Sequence, residues 1–125
     1  MILDTNAVSD LFSGDERLAS LLGNTRRHHI PSVVVGEYRY GLLGSSKQQV
    51  LEEMLEILLG ASILLPIDGS TAKHYVIVRE QLRRNGIPIP ENDVWIAALA
   101  RQHGQPVVTK DVHFDSVEGL RRVSW

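Results

Sequence analysis

Short apolar runs alternate with longer segments of helical periodicity along the chain. Bounded by Gly, Pro, Asp or Asn, the apolar runs predict short strands at residues 1–3, 28–31, 62–67, 107–109 and, at a sheet edge, 121–125. The segments between them predict helices at 6–12, from 16 onward, and at 32–43, 47–59, 70–85 and 91–100. Because strands alternate with helices and no hairpin signature lies between them, the pattern predicts an α/β fold, with a central, mostly parallel sheet of four to five short strands flanked by helices.

The periodicity also predicts which helix faces are buried. The third predicted helix begins at Ser32, its expected N-cap, although its three consecutive valines would suit a strand equally well. Its expected buried face comprises Val34, Tyr38 and Leu42. The helix at 47–59 carries a broad apolar stripe, for which we expect packing in the core, with a dimer face or a groove for a partner helix as alternatives. The stripe comprises Val50, Leu51, Met54, Leu55, Leu58 and Leu59.

The length and composition fit a single globular domain, expected to span residues 1–125. Hydrophobic residues make up 43% and charged residues 22%, as in soluble proteins, and no apolar run approaches the ~20 residues of a membrane span. The first strand begins at Met1 with no basic leader, so no signal peptide is expected and the predicted location is cytoplasmic. The lack of cysteine excludes disulfides, zinc–thiolate sites and thiol nucleophiles.

The net charge of -2 does not indicate a nucleic-acid-binding protein by the usual criterion of a basic patch. Basic residues are nevertheless clustered, at 26–29 and at Arg79, Arg83 and Arg84. Each cluster is either a local positive surface beside an acidic pocket or an ordinary solvated face.

Three acidic residues fall where a parallel strand ends or a buried helix begins. Asp4 follows the first predicted strand, Asp111 follows the strand at 107–109, and Asp93 precedes 94–100, a stretch that is apolar on all sides. Parallel strands end at one edge of the sheet and helices start there, so these three carboxylates are expected to lie together.

Two further carboxylates are less direct candidates. Glu37 lies inside the third predicted helix, where it could point along the helix edge toward the sheet, and Asp68 ends the strand at 62–67. Any of the five acidic residues, taken alone, could instead be a cap, a turn residue or an exposed helix residue.

A cluster of four carboxylates would need a neutralising partner. At separations of roughly 5 Å, each pair repels by about 3 kcal/mol at an effective dielectric constant near 20, so several pairs would exceed the stability of a typical domain. Protonation of one or two carboxylates is one solution. A hard divalent cation, Mg²⁺ or Mn²⁺, is the other, and it suits a cluster of oxygen ligands without His or Cys. Such a site can activate water, which indicates metal-dependent phosphodiester hydrolysis.

Four stretches, in their order along the chain, together resemble the PIN-domain nucleases. They are Leu3-Asp4-Thr5-Asn6, a lone Glu37 on an early helix, Asn92-Asp93-Val94-Trp95-Ile96-Ala97-Ala98, and Val108-Thr109-Lys110-Asp111 followed by His113-Phe114. The length, the start at the first strand, and Gly119-Leu120 leading into Trp125 are similar to the VapC-type toxins of bacterial and archaeal toxin-antitoxin pairs. The resemblance covers the whole chain.

This resemblance implies a Mg²⁺- or Mn²⁺-dependent endoribonuclease that cuts structured RNA such as tRNA or rRNA and arrests translation. It also implies a cognate antitoxin, which inserts a segment into the acidic pocket, and a toxin homodimer. By position, the four acidic residues of the family correspond to Asp4, Glu37, Asp93 and Asp111. Glu37 would bind the metal partly through water and orient the attacking hydroxide, the other three would hold the metal, and the supporting polar positions correspond to Asn6 and Thr109.

The chain departs from the family pattern at the fourth acidic position. Many relatives have asparagine there and a further acidic residue just before the phenylalanine. Here the fourth position is Asp111, His113 precedes Phe114, and Asp115 follows it. Asp115 is therefore a candidate for a second metal, and His113 is interpreted as an exposed loop residue, with a proton donor as the alternative.

Other protein classes fit the chain less well. A haloacid-dehalogenase-like phosphatase needs a second Asp two residues after the first, where this chain has Asn6, and a receiver domain could use Lys110 and Thr109 but needs an acidic pair after the first strand. A PIN-fold nuclease of RNA maturation without an antitoxin stays open. A non-catalytic RNA-binding or assembly module is the remaining alternative, and the full set of four carboxylates argues against it.

Overall fold

Among the residues that the structure describes, five short strands form one parallel sheet at the centre of the fold. The computed structural model describes residues 1–23 and 27–125, so Arg26 of the first basic cluster lies outside the described residues. The strands are β1 (Ile2–Leu3), β2 (His29–Pro31), β3 (Ile63–Leu65), β4 (Val107–Val108) and β5 (Arg122–Val123). Their order is β3-β2-β1-β4-β5, and each neighbouring pair is parallel. The predicted α/β fold with a parallel sheet is confirmed.

Helices connect the strands in the order that the periodicity predicts. They are α1 (Thr5–Phe12), α2 (Glu16–Gly23), α3 (Ser32–Leu42), α4 (Gln48–Gly60), α5 (Gly69–Arg84) and α6 (Glu91–His103). A 3₁₀ helix, Val112–Ser116, follows β4 in a segment of the sequence that carries no periodic pattern. Among the described residues, no helix is both long enough and apolar enough to cross a bilayer.

The core lies between the central strands and the helices that cover them. Every residue of β1 and β4 is fully buried, as expected of parallel strands with helices on both faces. The apolar stretch of helix α6 is buried at Val94 and at every residue from Ile96 to Ala100. This burial confirms the prediction made from its apolar sequence. Trp95 is the partly exposed residue of this stretch, and its ring stacks on Tyr75 of α5 with the centroids 4.0 Å apart.

Helix α3 begins differently from the prediction. The N-cap is Pro31, the last residue of β2, and its extended backbone leads directly into the helix. Ser32 is therefore already the first helical residue, and its hydroxyl donates to the carbonyl of Leu65 at 3.3 Å instead of capping the helix. The predicted buried face of α3, which comprises Val34, Tyr38 and Leu42, is confirmed.

The outer side of the sheet near α4 is more exposed than the sequence predicts. Leu55 is the fully buried member of the apolar stripe of α4, whereas Val50 is 58% exposed. Strand β3 lies at the edge of the sheet, which leaves Leu64 52% exposed. The expectation of full burial is wrong for these residues, because an edge strand and its neighbouring helix have fewer elements to pack against.

Candidate metal centre

The order of the strands places the ends of β1 and β4 side by side. From β1 the chain builds the sheet outward through β2 and β3, and it returns to add β4 and β5 on the other side of β1. The space between β1 and β4 is thus a topological switch point, where open α/β sheets form a crevice at the carboxyl ends of their strands. Leu3 pairs with Val108, so Asp4 and Thr109 leave the sheet together.

Asp4 is a buried carboxylate held by three donors. It is 4% exposed, and as the N-cap of α1 it accepts a hydrogen bond from the Thr5 amide at 2.7 Å. Its other oxygen, Oδ2, accepts from Thr109 Oγ1 at 2.8 Å and from Asn6 Nδ2 at 3.2 Å. These bonds fix the orientation of the Asp4 carboxylate.

Thr109 is the centre of this hydrogen-bond network. The residue is fully buried, and its hydroxyl donates to Asp4 while accepting from Asn6 Nδ2 at 3.0 Å and from the Asp111 amide at 2.9 Å. A hydroxyl has one proton and two lone pairs, so all its capacity is used. Asn6 Oδ1 also accepts from the Lys110 amide at 3.1 Å, which joins α1 to the segment after β4. The predicted supporting positions, Asn6 and Thr109, therefore position both Asp4 and Asp111.

Asp93, Asp111 and His113 form a second group at the same edge. Asp93 is the third residue of α6 and is 8% exposed. Nδ1 of His113 lies 2.9 Å from Oδ1 of Asp111 and 3.4 Å from Oδ2 of Asp93. One potential ligand atom from each of the three residues lies within 4.8 Å of the others. His113 is exposed, as predicted, and its imidazole lies beside two of the carboxylates, a contact that the sequence did not predict.

Glu37 is linked to the same region by a hydrogen bond from Thr5, the first residue of α1. Its Oε2 accepts a hydrogen bond from Thr5 Oγ1 at 3.1 Å, and Thr5 directly follows Asp4. The negative charge of Glu37 contributes to the raised pKa of Asp4, as expected of neighbouring carboxylates. The structure thus brings together all four predicted acidic residues, Asp4, Glu37, Asp93 and Asp111.

The cluster is electrostatically unfavourable when all its carboxylates are ionised. Burial raises the pKa of Asp4, hydrogen bonds from Thr109 and Thr5 lower it, and the charges of Glu37 and Asp111 raise it further. Burial, followed by the charges of Asp4 and Asp111, raises the pKa of Asp93 to about 6, against the opposing effect of His113. A divalent cation would relieve this repulsion, so the donor set fits a metal.

Nearby basic side chains are engaged elsewhere. Lys110 pairs with Asp10 at 2.7 Å, and Arg122 binds Asp115 through Nε at 2.8 Å and Nη2 at 3.0 Å. The carboxylate of Asp115 therefore faces Arg122 in a bidentate pair, and the arginine lowers its pKa. This ion pair explains the position of the Asp115 side chain without a role in metal binding.

Asp68 is a helix cap and is not brought to the cluster. It caps α5 in a capping box with Thr71, and its Oδ1 also accepts from Gln102 Nε2 at 3.3 Å. Gln102 lies nine residues after Asp93 on α6, which corresponds to about 13 Å along the helix axis. The hypothesis that Asp68 joins the site is wrong.

His113 and Thr5 are the residues of the site whose contacts the sequence did not indicate. Asp111 caps the 3₁₀ helix by accepting from the His113 amide at 2.9 Å, and this turn brings the imidazole back to the carboxylates. The sequence signal that could have indicated the contact of His113 was its position two residues after a capping aspartate at the end of a strand. The contact between Thr5 and Glu37 could not be predicted from local sequence, because it joins residues 32 positions apart.

Comparisons with known proteins identify the same kind of fold. The PIN domain family model matches residues 1–120. The chain is 33% identical to Toxin FitB of Neisseria gonorrhoeae over 121 residues, which is 89% of this chain and 87% of that protein. It is 34% identical to the tRNA(fMet)-specific endonuclease VapC of Shigella flexneri over 100 residues, or 77% of this chain and 74% of that protein. Among solved structures, DNA-bound VapBC from Salmonella typhimurium has a chain that superimposes with a TM-score of 0.88 at 28% identity, covering 99% of this chain and 96% of that one.

Proposed function

The chain belongs to the PIN domain family, and on that premise we propose that it is a divalent-metal-dependent endoribonuclease, the toxin of a toxin-antitoxin pair. Its substrate is structured RNA such as tRNA or rRNA, and its reaction is hydrolysis of a phosphodiester bond. The whole chain, residues 1–125, acts as one PIN domain. Its place of action is the cytoplasm, where these RNAs are found.

The observation that carries this proposal is the convergence of four carboxylates at the switch point of the sheet. Asp4, Asp93 and Asp111 hold the metal, which is Mg²⁺ or Mn²⁺, since carboxylate-rich sites suit both ions. When bound, the ion lowers the pKa of a water molecule and stabilises negative charge on the leaving oxygen. Hydrogen bonds of Thr109 and Asn6 hold Asp4 and the Asp111 segment in fixed positions relative to each other.

Glu37 is the residue that orients the attacking water. Its Oε2 is held by Thr5 Oγ1, which fixes the carboxylate while Oε1 accepts a hydrogen bond from the water. The water would attack phosphorus and give up one proton to the solvent, the bond from phosphorus to the leaving oxygen would break, and that oxygen would take one proton from the solvent. Asp115 pairs with Arg122, which stabilises the segment after β4, and it takes no part in this mechanism.

The partners follow from the toxin family. We expect a cognate antitoxin that inserts a segment into the acidic pocket, and a toxin homodimer. The inserted segment would need a positively charged group to neutralise the carboxylates, because the negative charges of the buried Asp4 and Asp93 repel any anion.

Cleavage of an RNA pool by purified protein tests the proposal. Total tRNA and rRNA are incubated with Mg²⁺ or Mn²⁺, with and without EDTA, beside Asp4→Asn and Asp93→Asn variants. Asp68→Asn is the matched control, because asparagine keeps a helix cap and Asp68 lies outside the cluster. We expect discrete metal-dependent fragments from wild type and Asp68→Asn, and loss of at least about a hundredfold in both cluster variants. Absence of cleavage by wild type, together with RNA binding, would instead favour a non-catalytic binding module.

A further inference from the structure

His113 adds a nitrogen donor to a site otherwise made of oxygen atoms. We propose that His113 is a direct ligand of the metal, and that the site therefore prefers Mn²⁺, or another divalent ion that accepts nitrogen, to Mg²⁺. This inference rests on the proposed metal-dependent function and goes beyond it, since it concerns which ion the site selects.

The spacing of the three donor atoms fits adjacent positions around one ion. Adjacent ligands of an octahedral ion with bonds of about 2.1 Å lie about 3.0 Å apart. His113 Nδ1 lies 2.9 Å from Asp111 Oδ1 and 3.4 Å from Asp93 Oδ2, which brackets this separation. The ligand atoms of Asp93 and Asp111 lie within 4.8 Å of each other as well.

The backbone places the imidazole at this position. Asp111 caps the 3₁₀ helix Val112–Ser116 through the His113 amide, and the next residue, Phe114, is fully buried in the core. The amide of His113 and the residue that follows it are thus anchored. A ligand whose backbone is fixed in this way loses less freedom when it binds an ion than an exposed loop side chain does.

The donor set determines the preference among ions. Mg²⁺ favours carboxylate, carbonyl and water oxygens, and it readily keeps a water molecule in place of an imidazole. Mn²⁺ and the later divalent ions of the first transition series accept imidazole more strongly. A site with Asp93, Asp111 and His113 should therefore gain affinity for Mn²⁺ from the histidine and gain little for Mg²⁺.

A different arrangement would give His113 a positioning role only. In that case Nδ1 would donate a hydrogen bond to Asp111 in the loaded protein, outside the coordination sphere of the ion. Loss of the imidazole would then weaken Mn²⁺ and Mg²⁺ binding to a similar extent, and no nitrogen would be bonded to the metal.

Pulsed EPR of the Mn²⁺-loaded protein distinguishes these arrangements. Wild-type protein, grown with ¹⁵N-histidine, is compared with His113→Ala and with His103→Ala, a matched control that removes an exposed histidine at the end of α6. We expect ¹⁵N hyperfine coupling to Mn²⁺ in wild type and in His103→Ala, and its loss in His113→Ala. Bound Mn²⁺ without ¹⁵N coupling in wild type would overturn the inference while leaving the nuclease proposal intact.

Isothermal titration calorimetry supplies the second readout. We expect His113→Ala to weaken Mn²⁺ binding by at least about tenfold and Mg²⁺ binding by less than about threefold. Equal losses for both ions would overturn the inference and assign His113 a positioning role. Failure of the nuclease proposal is recognised separately, by the absence of metal-dependent RNA cleavage in wild type.

Discussion

Thr109 links the two carboxylate groups through a single buried hydroxyl. It donates to Asp4 and accepts from Asn6 and from the Asp111 amide. Without the hydroxyl, the Asp111 amide loses this acceptor, and Asp4 Oδ2 and Asn6 Nδ2 keep only the hydrogen bond between them. Valine has nearly the same shape as threonine but lacks the hydroxyl. Replacing Thr109 with valine therefore tests the hydroxyl and not the size of the side chain.

Replacing Thr109 with valine should therefore destabilise the protein and reduce cleavage. We expect a loss of about 1–3 kcal/mol in the free energy of unfolding, measured by urea denaturation. Thr109→Ser keeps the hydroxyl and serves as the control, with a smaller loss of stability and near-normal cleavage. Equal effects of the two substitutions would show that the hydroxyl does not organise the site.

Asp93 makes the stability of the metal-free protein depend on pH. Its pKa is about 6 in the folded protein and close to 3.8 in the unfolded chain. At pH values between these two pKa values, the folded state binds more protons than the unfolded chain does. The free energy of unfolding therefore falls as the pH rises through this range, by up to about 3 kcal/mol.

The Asp93→Asn variant removes this penalty. In EDTA at pH 7 we expect the variant to be more stable than wild type by up to about 3 kcal/mol, with the difference vanishing near pH 4, where the wild-type carboxyl is protonated. Urea denaturation at a series of pH values measures the difference. A variant that is less stable than wild type at pH 7 would mean that Asp93 is favourably paired in the metal-free protein.

At the scale of single residues, the sequence predicted that Asp4, Asp93 and Asp111 lie together because strand ends and helix starts share one edge of a parallel sheet, whereas Glu37 was assigned by the resemblance to the PIN-domain nucleases. The sequence did not predict the contacts of His113 and Asp115, since their partners depend on the turn that follows Asp111 and on the position of Arg122 in β5. Both contacts are set by three-dimensional packing after the strand has ended.

At the scale of elements, Asp4 and Asp68 show the same local pattern with different outcomes. Each follows a strand and caps the next helix. Asp4 leaves β1, a central strand beside β4, whereas Asp68 leaves β3 at the edge of the sheet. The position of the strand in the sheet, which the sequence does not state, decides which aspartate enters the cluster.

Asp68 should therefore affect stability and leave catalysis unchanged. We expect Asp68→Ala to lower the free energy of unfolding by about 1 kcal/mol, because the capping box of α5 is lost. Cleavage per folded molecule should remain at the wild-type level. A large loss of cleavage in a folded Asp68→Ala protein would place this carboxylate in the catalytic machinery.

Helix α4 illustrates where sequence periodicity reaches its limit. Its apolar stripe predicts one buried face, yet Ile57 is 75% exposed and lies seven residues after the exposed Val50. Apolar residues surround much of this helix, so periodicity alone cannot tell the face that packs on the sheet from the opposite face.

At the scale of the whole molecule, metal binding and folding should be linked. The carboxylates of the site are brought together only by the folded sheet, so an ion that binds them stabilises the folded state. At a free concentration of 100 times the dissociation constant, this stabilisation amounts to about 2.7 kcal/mol.

Addition of Mn²⁺ should therefore raise the free energy of unfolding of wild type by about 2–3 kcal/mol under these conditions. The increase should be much smaller in Asp93→Asn, which retains the fold but lacks one ligand. Urea denaturation with and without the ion measures the effect. Equal increases in wild type and variant would place the bound ion outside the cluster.

The origin of the new oxygen in the cleaved RNA tests the central claim most directly. RNA is cleaved by the wild-type protein with Mn²⁺ in ¹⁸O-labelled water, and the fragment ends are analysed by mass spectrometry. Attack by water predicts linear terminal phosphates that carry one ¹⁸O atom, formed only when the metal is present. Fragments that end in unlabelled 2′,3′-cyclic phosphate, or cleavage that persists in EDTA, would contradict water activation at the carboxylate cluster.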